Sequence, residues 1–201
     1  DILTIQKSDV FIYVGGESDT WAKGILESLD TSHMAVISMM DMVDVVEEEI
    51  KEGMEDGDAH EDQEEDHDGD HDQDDHDHDV EYDEHVWTSP VNAKIITQAI
   101  SDTLCRLDES HAPFFRENTH AYLAELDALD DAFREVVAHG QRKTLIFGDR
   151  FPFRYFADEY GLDYYAAFPG CSTQTQANAR TVAFLVDKIK AEKVPVVCYI
   201  E

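Results

Sequence analysis

Thr144-Leu145-Ile146-Phe147, then Phe151-Pro152-Phe153-Arg154-Tyr155-Phe156-Ala157-Asp158-Glu159-Tyr160-Gly161, then Asp163-Tyr164-Tyr165-Ala166-Ala167-Phe168: this stretch decides the fold. The first and third runs are short, apolar and rich in β-branched and aromatic residues, which suits buried strands. The middle run repeats its apolar residues at helical spacing and stops at a glycine, so 151–160 reads as a helix. A further helical pattern covers 175–192, and a strand-like run follows over 195–200. Strands alternating with helices predict a parallel sheet of the α/β class.

The same alternation stands at the other end of the chain. Val10-Phe11-Ile12-Tyr13-Val14 is a continuous apolar run closed by Gly15-Gly16, which reads as a strand entering a turn. Trp21, Ile25 and Leu29 recur at helical spacing, and 35–38 reads as a second strand. Between the two β-α sections lie two helices. Ser89-Pro90 supplies an N-cap serine and a proline at the first helical position, followed by the stripe Ile96, Ile100, Leu104 and Leu107. After Pro113 a longer stripe runs through Tyr122, Leu126, Leu129, Phe133 and Val137 to Gly140. The predicted organisation is an α/β lobe over 1–112, a long helix over 113–139 and a second α/β lobe over 140–201.

Charge narrows the function. Asp and Glu number 46 against 15 Lys and Arg, a formal charge of -31, and 18 of those acids fall within 55–84, which has no Lys or Arg. Such a surface repels phosphate backbones and anionic head groups, so nucleic acid is an unsuitable partner and small cations suit it. The three cysteines, Cys105, Cys171 and Cys198, form no CxxC pair and suggest neither a disulfide framework nor a thiolate zinc site; Cys105, in a helical pattern, and Cys198, in a strand pattern, read as buried thiols. No run approaches the roughly 20 apolar residues that span a bilayer. The chain begins at Asp1 rather than Met and stops after a strand-like run, so both ends are expected to be cut.

The tract 55–84 has almost nothing apolar to offset the entropy of ordering it and is expected to be a disordered loop. Five of the ten histidines lie in it: His60, His67, His71, His76 and His78. Neutral imidazole binds zinc, copper and nickel well, and the flanking carboxylates add charge and oxygen donors, so the tract reads as a metal-capturing segment. A solvated acidic linker is the alternative. His85 differs from these five, because it stands just ahead of the capped helix, where a ligand can be preorganised, although by position alone such a histidine is more often structural.

At these residues the chain resembles the cluster of ABC-importer solute-binding proteins specific for zinc and manganese. Their Pro-His-Val-Trp-Leu-Asp-Pro segment, which supplies a metal-binding histidine, is similar to Glu84-His85-Val86-Trp87-Thr88-Ser89-Pro90. The likeness continues through Asn92, Asn118, Tyr122, Leu126-Asp127-Ala128-Leu129, Tyr155-Phe156 and Tyr160-Gly161-Leu162, and upstream through Ser8-Asp9-Val10-Phe11-Ile12-Tyr13, Gly16-Glu17 and Trp21. An acidic His-rich loop before this histidine is typical of the zinc-specific members.

The resemblance implies two lobes, each a parallel sheet flanked by helices, joined by a long rigid helix, with the second lobe truncated here. It implies a metal in the cleft held by nitrogen and oxygen ligands from both lobes. It further implies a non-enzymatic, extracytoplasmic protein, a monomer with an upstream lipid anchor, that captures Zn2+, or less readily Mn2+, and delivers it to a membrane permease. One histidine ligand is expected upstream of the chain and one carboxylate ligand beyond it. Another ligand is normally His or Glu in a segment like Asp149-Arg150-Phe151-Pro152-Phe153-Arg154-Tyr155-Phe156, where this chain has Arg150. A guanidinium carries five N–H donors and no acceptor, so it cannot ligate a cation. Asp149 is the nearest substitute; pairing with Arg150 or capping a helix at Phe151 remains open for it.

Two other classes compete with transport. A metallohydrolase would need three protein ligands with an open water position, and no HExxH or comparable set is present. A cell-surface adhesin or interaction protein is the second alternative.

Overall fold

Val10, Phe11, Ile12 and Tyr13 are residues that favour the pleated, half-buried surface of a sheet, and they form β1 (Val10–Tyr13). α2 (Thr20–Ser28) follows, after the four-residue α1 (Ile2–Ile5) and β1, and returns the chain to β2 (Ala35–Ser38). β1 and β2 pair in parallel, from Val10 opposite Ala35 to Tyr13 opposite Ser38. The structure, a computed structural model, describes residues 2–54, 81–172 and 176–200. His60, His67, His71, His76 and His78 lie outside them.

α3 (Pro90–Leu107) starts as its sequence predicts. The Ser89 hydroxyl accepts from the Asn92 N–H at 3.3 Å, and Pro90 sits where no donor is needed. α4 (Ala112–His139) has 28 residues, about 42 Å at 1.5 Å per residue, and ends at Gly140. Its apolar stripe is only partly packed. Leu126 is buried, whereas Tyr122 and Leu129 remain exposed and, with Phe133, Phe147 and Phe156, line an open groove of about 500 Å³.

The second lobe holds β3 (Thr144–Phe151) and β4 (Asp163–Pro169), parallel from Thr144 opposite Asp163 to Phe151 opposite Pro169, with a register shift between Phe147 and Arg150. α5 (Arg154–Tyr160) connects them, and α6 (Ala179–Glu192) packs on both strands. The lobe core is Phe147, Phe151, Ala157, Tyr164 and Ala166, with a stacked Phe151–Tyr164 pair at 3.7 Å between ring centroids. Two parallel two-stranded sheets flanked by helices, with α4 between them in the chain, are the α/β arrangement expected.

Several boundaries differ from expectation. β3 runs on to Phe151, so α5 begins at Arg154 rather than Phe151. The physical reason is Pro152, whose ring disfavours helical geometry at the preceding residue. α6 begins at Ala179, where the Asn178 side chain accepts from the N–H groups of Arg180 and Thr181. The run over 195–200 does not form a full strand. It makes one parallel bridge, Phe147 to Cys198, with two hydrogen bonds of 2.8 and 2.9 Å. Pro195 opens that run without a donor.

The last four residues of the acidic tract, expected to belong to the disordered loop, are instead part of the packed lobe. Tyr82 bridges Glu47, the Asp83 N–H donates to Val46 O at 3.0 Å, and both Asp83 and Glu84 are buried. Composition registers their charge but not their partners. The Glu84 carboxylate accepts from the Ser18 N–H at 2.7 Å and lies against Gly16, whose φ of +79° and close approach to Glu84 both require glycine.

One buried carboxylate ties the three helical segments together. Asp130 on α4 accepts from the Tyr160 hydroxyl of α5 at 3.0 Å, from Lys94 of α3 at 3.5 Å, and pairs with Arg134 at 3.0 Å. Burial alone would raise its pKa, but Tyr160, Arg134 and Lys94 outweigh burial and hold it below the ordinary 3.8. A depressed folded pKa stabilises above the unfolded value and is lost as pH falls through the folded one. Asp130→Asn is expected to lower unfolding free energy by roughly 2 kcal/mol at pH 7. In urea melts that gap should narrow below about pH 4, where the unfolded carboxylate protonates.

Candidate metal centre

The chain leaves the Tyr82 bridge and turns at once into the short 3-10 turn Val86–Thr88, with His85 at its N-cap. Val86 is fully buried and packs in one cluster with Ile96 of α3 and Tyr155 of α5. That packing holds the backbone of His85 where elements of both β-α sections meet. The imidazole is 21% exposed, so it is held but still open to solvent. Trp87, itself half-exposed, lies with its ring centroid 5.6 Å from that of His85.

Asp83 fixes the ring from behind. Its Oδ1 accepts from the His85 backbone N–H at 2.8 Å and faces His85 Nδ1 at 3.1 Å. A carboxylate only accepts, so the proton is assigned to Nδ1 and the lone pair to Nε2. Asp83 is 1% exposed. Its own carbonyl accepts from the Tyr155 hydroxyl at 2.7 Å, and that hydroxyl in turn accepts from the Val46 N–H at 3.3 Å.

The second lobe meets this histidine through Gly170, just past β4. A Cβ at Gly170 would stand 2.9 Å from Phe151 O, 3.1 Å from Asp83 Oδ2 and 3.3 Å from His85 Cε1. Next to it, the Cys171 N–H donates to Glu48 Oε1 at 2.9 Å. Burial, with the Glu48, Asp83 and Glu84 carboxylates nearby, pushes the Cys171 thiol up to about 12. It is a protonated, half-buried group and not a thiolate ligand.

Asp149 stands on β3 and does not cap α5, whose N-cap is Phe153 without a side-chain bond. The capping alternative is thereby removed, because the strand runs past it. Its carboxylate accepts from the Arg150 N–H at 2.8 Å and from the Ile200 N–H at 3.4 Å, and the Arg150 Nε stands 4.0 Å away. The guanidinium turns to the Ser172 carbonyl at 3.2 Å. Among the described residues no group of three or more His, Cys, Asp or Glu side chains could hold an ion. His85 and Asp149 are therefore not gathered into one such set. Sequence reasoning missed Asp83, Tyr155 and Gly170; only the Asp-x-His spacing offered a signal.

A family model described as zinc-uptake complex component A, periplasmic, matches residues 1–201. The chain belongs to that family. It is 29% identical over 201 residues to the zinc-binding lipoprotein AdcA of Streptococcus pneumoniae serotype 4, covering all of this chain and 36% of that protein. It is also 29% identical to the high-affinity zinc uptake system protein ZnuA of Bacillus subtilis, over 58% of its length. The Zn(II)-bound ZnuA-like domain of S. pneumoniae AdcA superposes with a TM-score of 0.67 at 25% identity, covering all of this chain and 62% of that one. The chain thus spans about a third to under two thirds of the relatives it matches.

The tight seam in this zinc-uptake family member is directly testable. Gly170→Ala is expected to lower unfolding free energy by about 1–3 kcal/mol, because backbone, carboxylate and ring surround the added methyl. Gly24→Ala, on α2 with nothing near its Cβ, should leave stability equal or higher in the same denaturant titration.

Proposed function

We propose that this chain is part of an extracytoplasmic solute-binding protein that captures zinc and passes it to the permease of an ABC importer. The observation that carries this reading is His85: partly open imidazole, held between two α/β lobes, with its Nδ1 committed to a buried carboxylate. Neutral imidazole with one fixed nitrogen is a ready ligand for a transition metal. The family match over residues 1–201, and relatives whose names state zinc binding and zinc uptake, support it. Zinc is the cargo here, and the protein has no reaction to catalyse.

Asp149 is the second-lobe carboxylate proposed to join His85, and the tract histidines His60, His67, His71, His76 and His78 are proposed as additional, weaker zinc positions. No helix among the described residues is long and apolar enough to cross a membrane.

Competition titration with a zinc chromophore tests the reading. His85→Ala is expected to raise the dissociation constant of the tightest site by on the order of a hundredfold. An unchanged constant would remove His85 from the site. Asp149→Ala should raise the same constant; if it does not, that carboxylate serves only the Arg150 and Ile200 N–H groups. Replacing 55–80 by a short Gly-Ser linker should lower the number of zinc ions bound while keeping the melting temperature. Extending the deletion through Glu84 should lower that temperature sharply, because it removes buried Asp83 and Glu84.

A further inference from the structure

Asp83 is fixed at three points. Its N–H donates to Val46 O at 3.0 Å, its carbonyl accepts from the Tyr155 hydroxyl at 2.7 Å, and its Oδ1 faces both nitrogen donors of His85. A nearly fully buried carboxylate needs such donors, since burying an unpaired charge is far more costly than any single hydrogen bond returns. Three of these contacts, with Val46 O, the Tyr155 hydroxyl and the His85 backbone N–H, fix the backbone. The fourth, to His85 Nδ1, selects one of two tautomers of a partly open ring. Gly170 brings the second lobe close to this pair: a Cβ there would stand 3.3 Å from His85 Cε1 and 3.1 Å from Asp83 Oδ2.

We propose that Asp83 is the positioning residue of the metal centre: it keeps the proton of His85 on Nδ1, so that Nε2 faces the cation, and Tyr155 on α5 holds Asp83 in place. The proposal rests on His85 being a ligand and adds how its ring is set. Imidazole ligands bound through one nitrogen commonly donate the other to a carboxylate, and loss of that partner weakens metal affinity about 10–100-fold. Tyr155 belongs to the second β-α section, so the tautomer of a first-section histidine is tied to the packing of α5.

Two measurements separate this role from a structural one. Long-range ¹H–¹⁵N NMR of the metal-free protein should show His85 as the Nδ1–H tautomer. In Asp83→Ala the ring should revert toward the Nε2–H form, which blocks the ligating nitrogen. Zinc titration of the more conservative Asp83→Asn should give a dissociation constant raised about tenfold or more, and Tyr155→Phe a smaller rise. In a double-mutant cycle, Asp83→Asn should cost nothing further once His85 is alanine. An Nε2–H ring in the unmodified protein would overturn the proposal. So would Asp83→Asn lowering the melting temperature with zinc affinity unchanged. If His85→Ala itself leaves affinity intact, the metal reading fails; if only the Asp83 variants do, that reading stands and the positioning role fails.

Discussion

A carboxylate buried where the two β-α sections meet constrains everything around it. Asp83 is 1% exposed, and its charge can be kept there only while backbone and side-chain donors face it. Those donors come from His85, while the Tyr155 hydroxyl on α5 and the Val46 carbonyl fix the backbone that carries it. Moving α5 away would leave the Asp83 carbonyl short of a donor and open the cluster of Val86, Ile96 and Tyr155. The geometry that presents His85 and the geometry that joins the lobes are therefore one set of contacts.

Acidity has two different consequences in this chain. Across 55–80, outside the described residues, it gathers carboxylates around five histidines in sequence. At Asp83, Glu84 and Asp130 single acids are buried and each is matched by donors: His85, the Ser18 N–H, and the Tyr160–Arg134–Lys94 group. Residues 48–54, immediately before the tract, bind the second lobe through Glu49 with Tyr164 and Arg154, Lys51 with Asp163, and Glu52 with Lys188. Residues 55–80 are thus preceded by a segment attached to the second lobe and followed, three positions on, by Asp83, which faces His85. Both flanking segments are tied to the same seam as the candidate ligand.

Much of this was legible in the sequence, and the gaps have physical reasons. Apolar runs at 10–14, 35–38, 144–147 and 163–168 gave strands, and Ser89-Pro90 and Gly140 gave helix ends, because local backbone chemistry sets those features. The continuation of β3 to Phe151 was also readable, had Pro152 been weighed against the helical spacing that follows it. The order of residues 81–84 was not, because it depends on pairing with Val46, Glu47 and Ser18, all more than thirty positions away. For the candidate site, His85 was singled out by the likeness of Glu84 to Pro90 to the family segment, since its place before a capped helix alone favours a structural reading. Asp83 was hidden inside the charge run, and Gly170 had no local signature, since its requirement for a bare Cα comes from the Phe151 carbonyl and two side chains far away in sequence. For Asp149, the capping alternative to a ligand role followed from the misplaced helix start, and the strand that runs past it removes that alternative.

The central claim is that imidazole at the lobe seam binds the captured ion through Nε2. Anomalous diffraction at the zinc absorption edge, on crystals of the zinc-loaded protein, tests it most directly. The account predicts a zinc peak about 2.0–2.1 Å from His85 Nε2, with Nδ1 still directed at Asp83. A tightly held zinc elsewhere in the molecule, with the His85 ring away from it, would contradict the account.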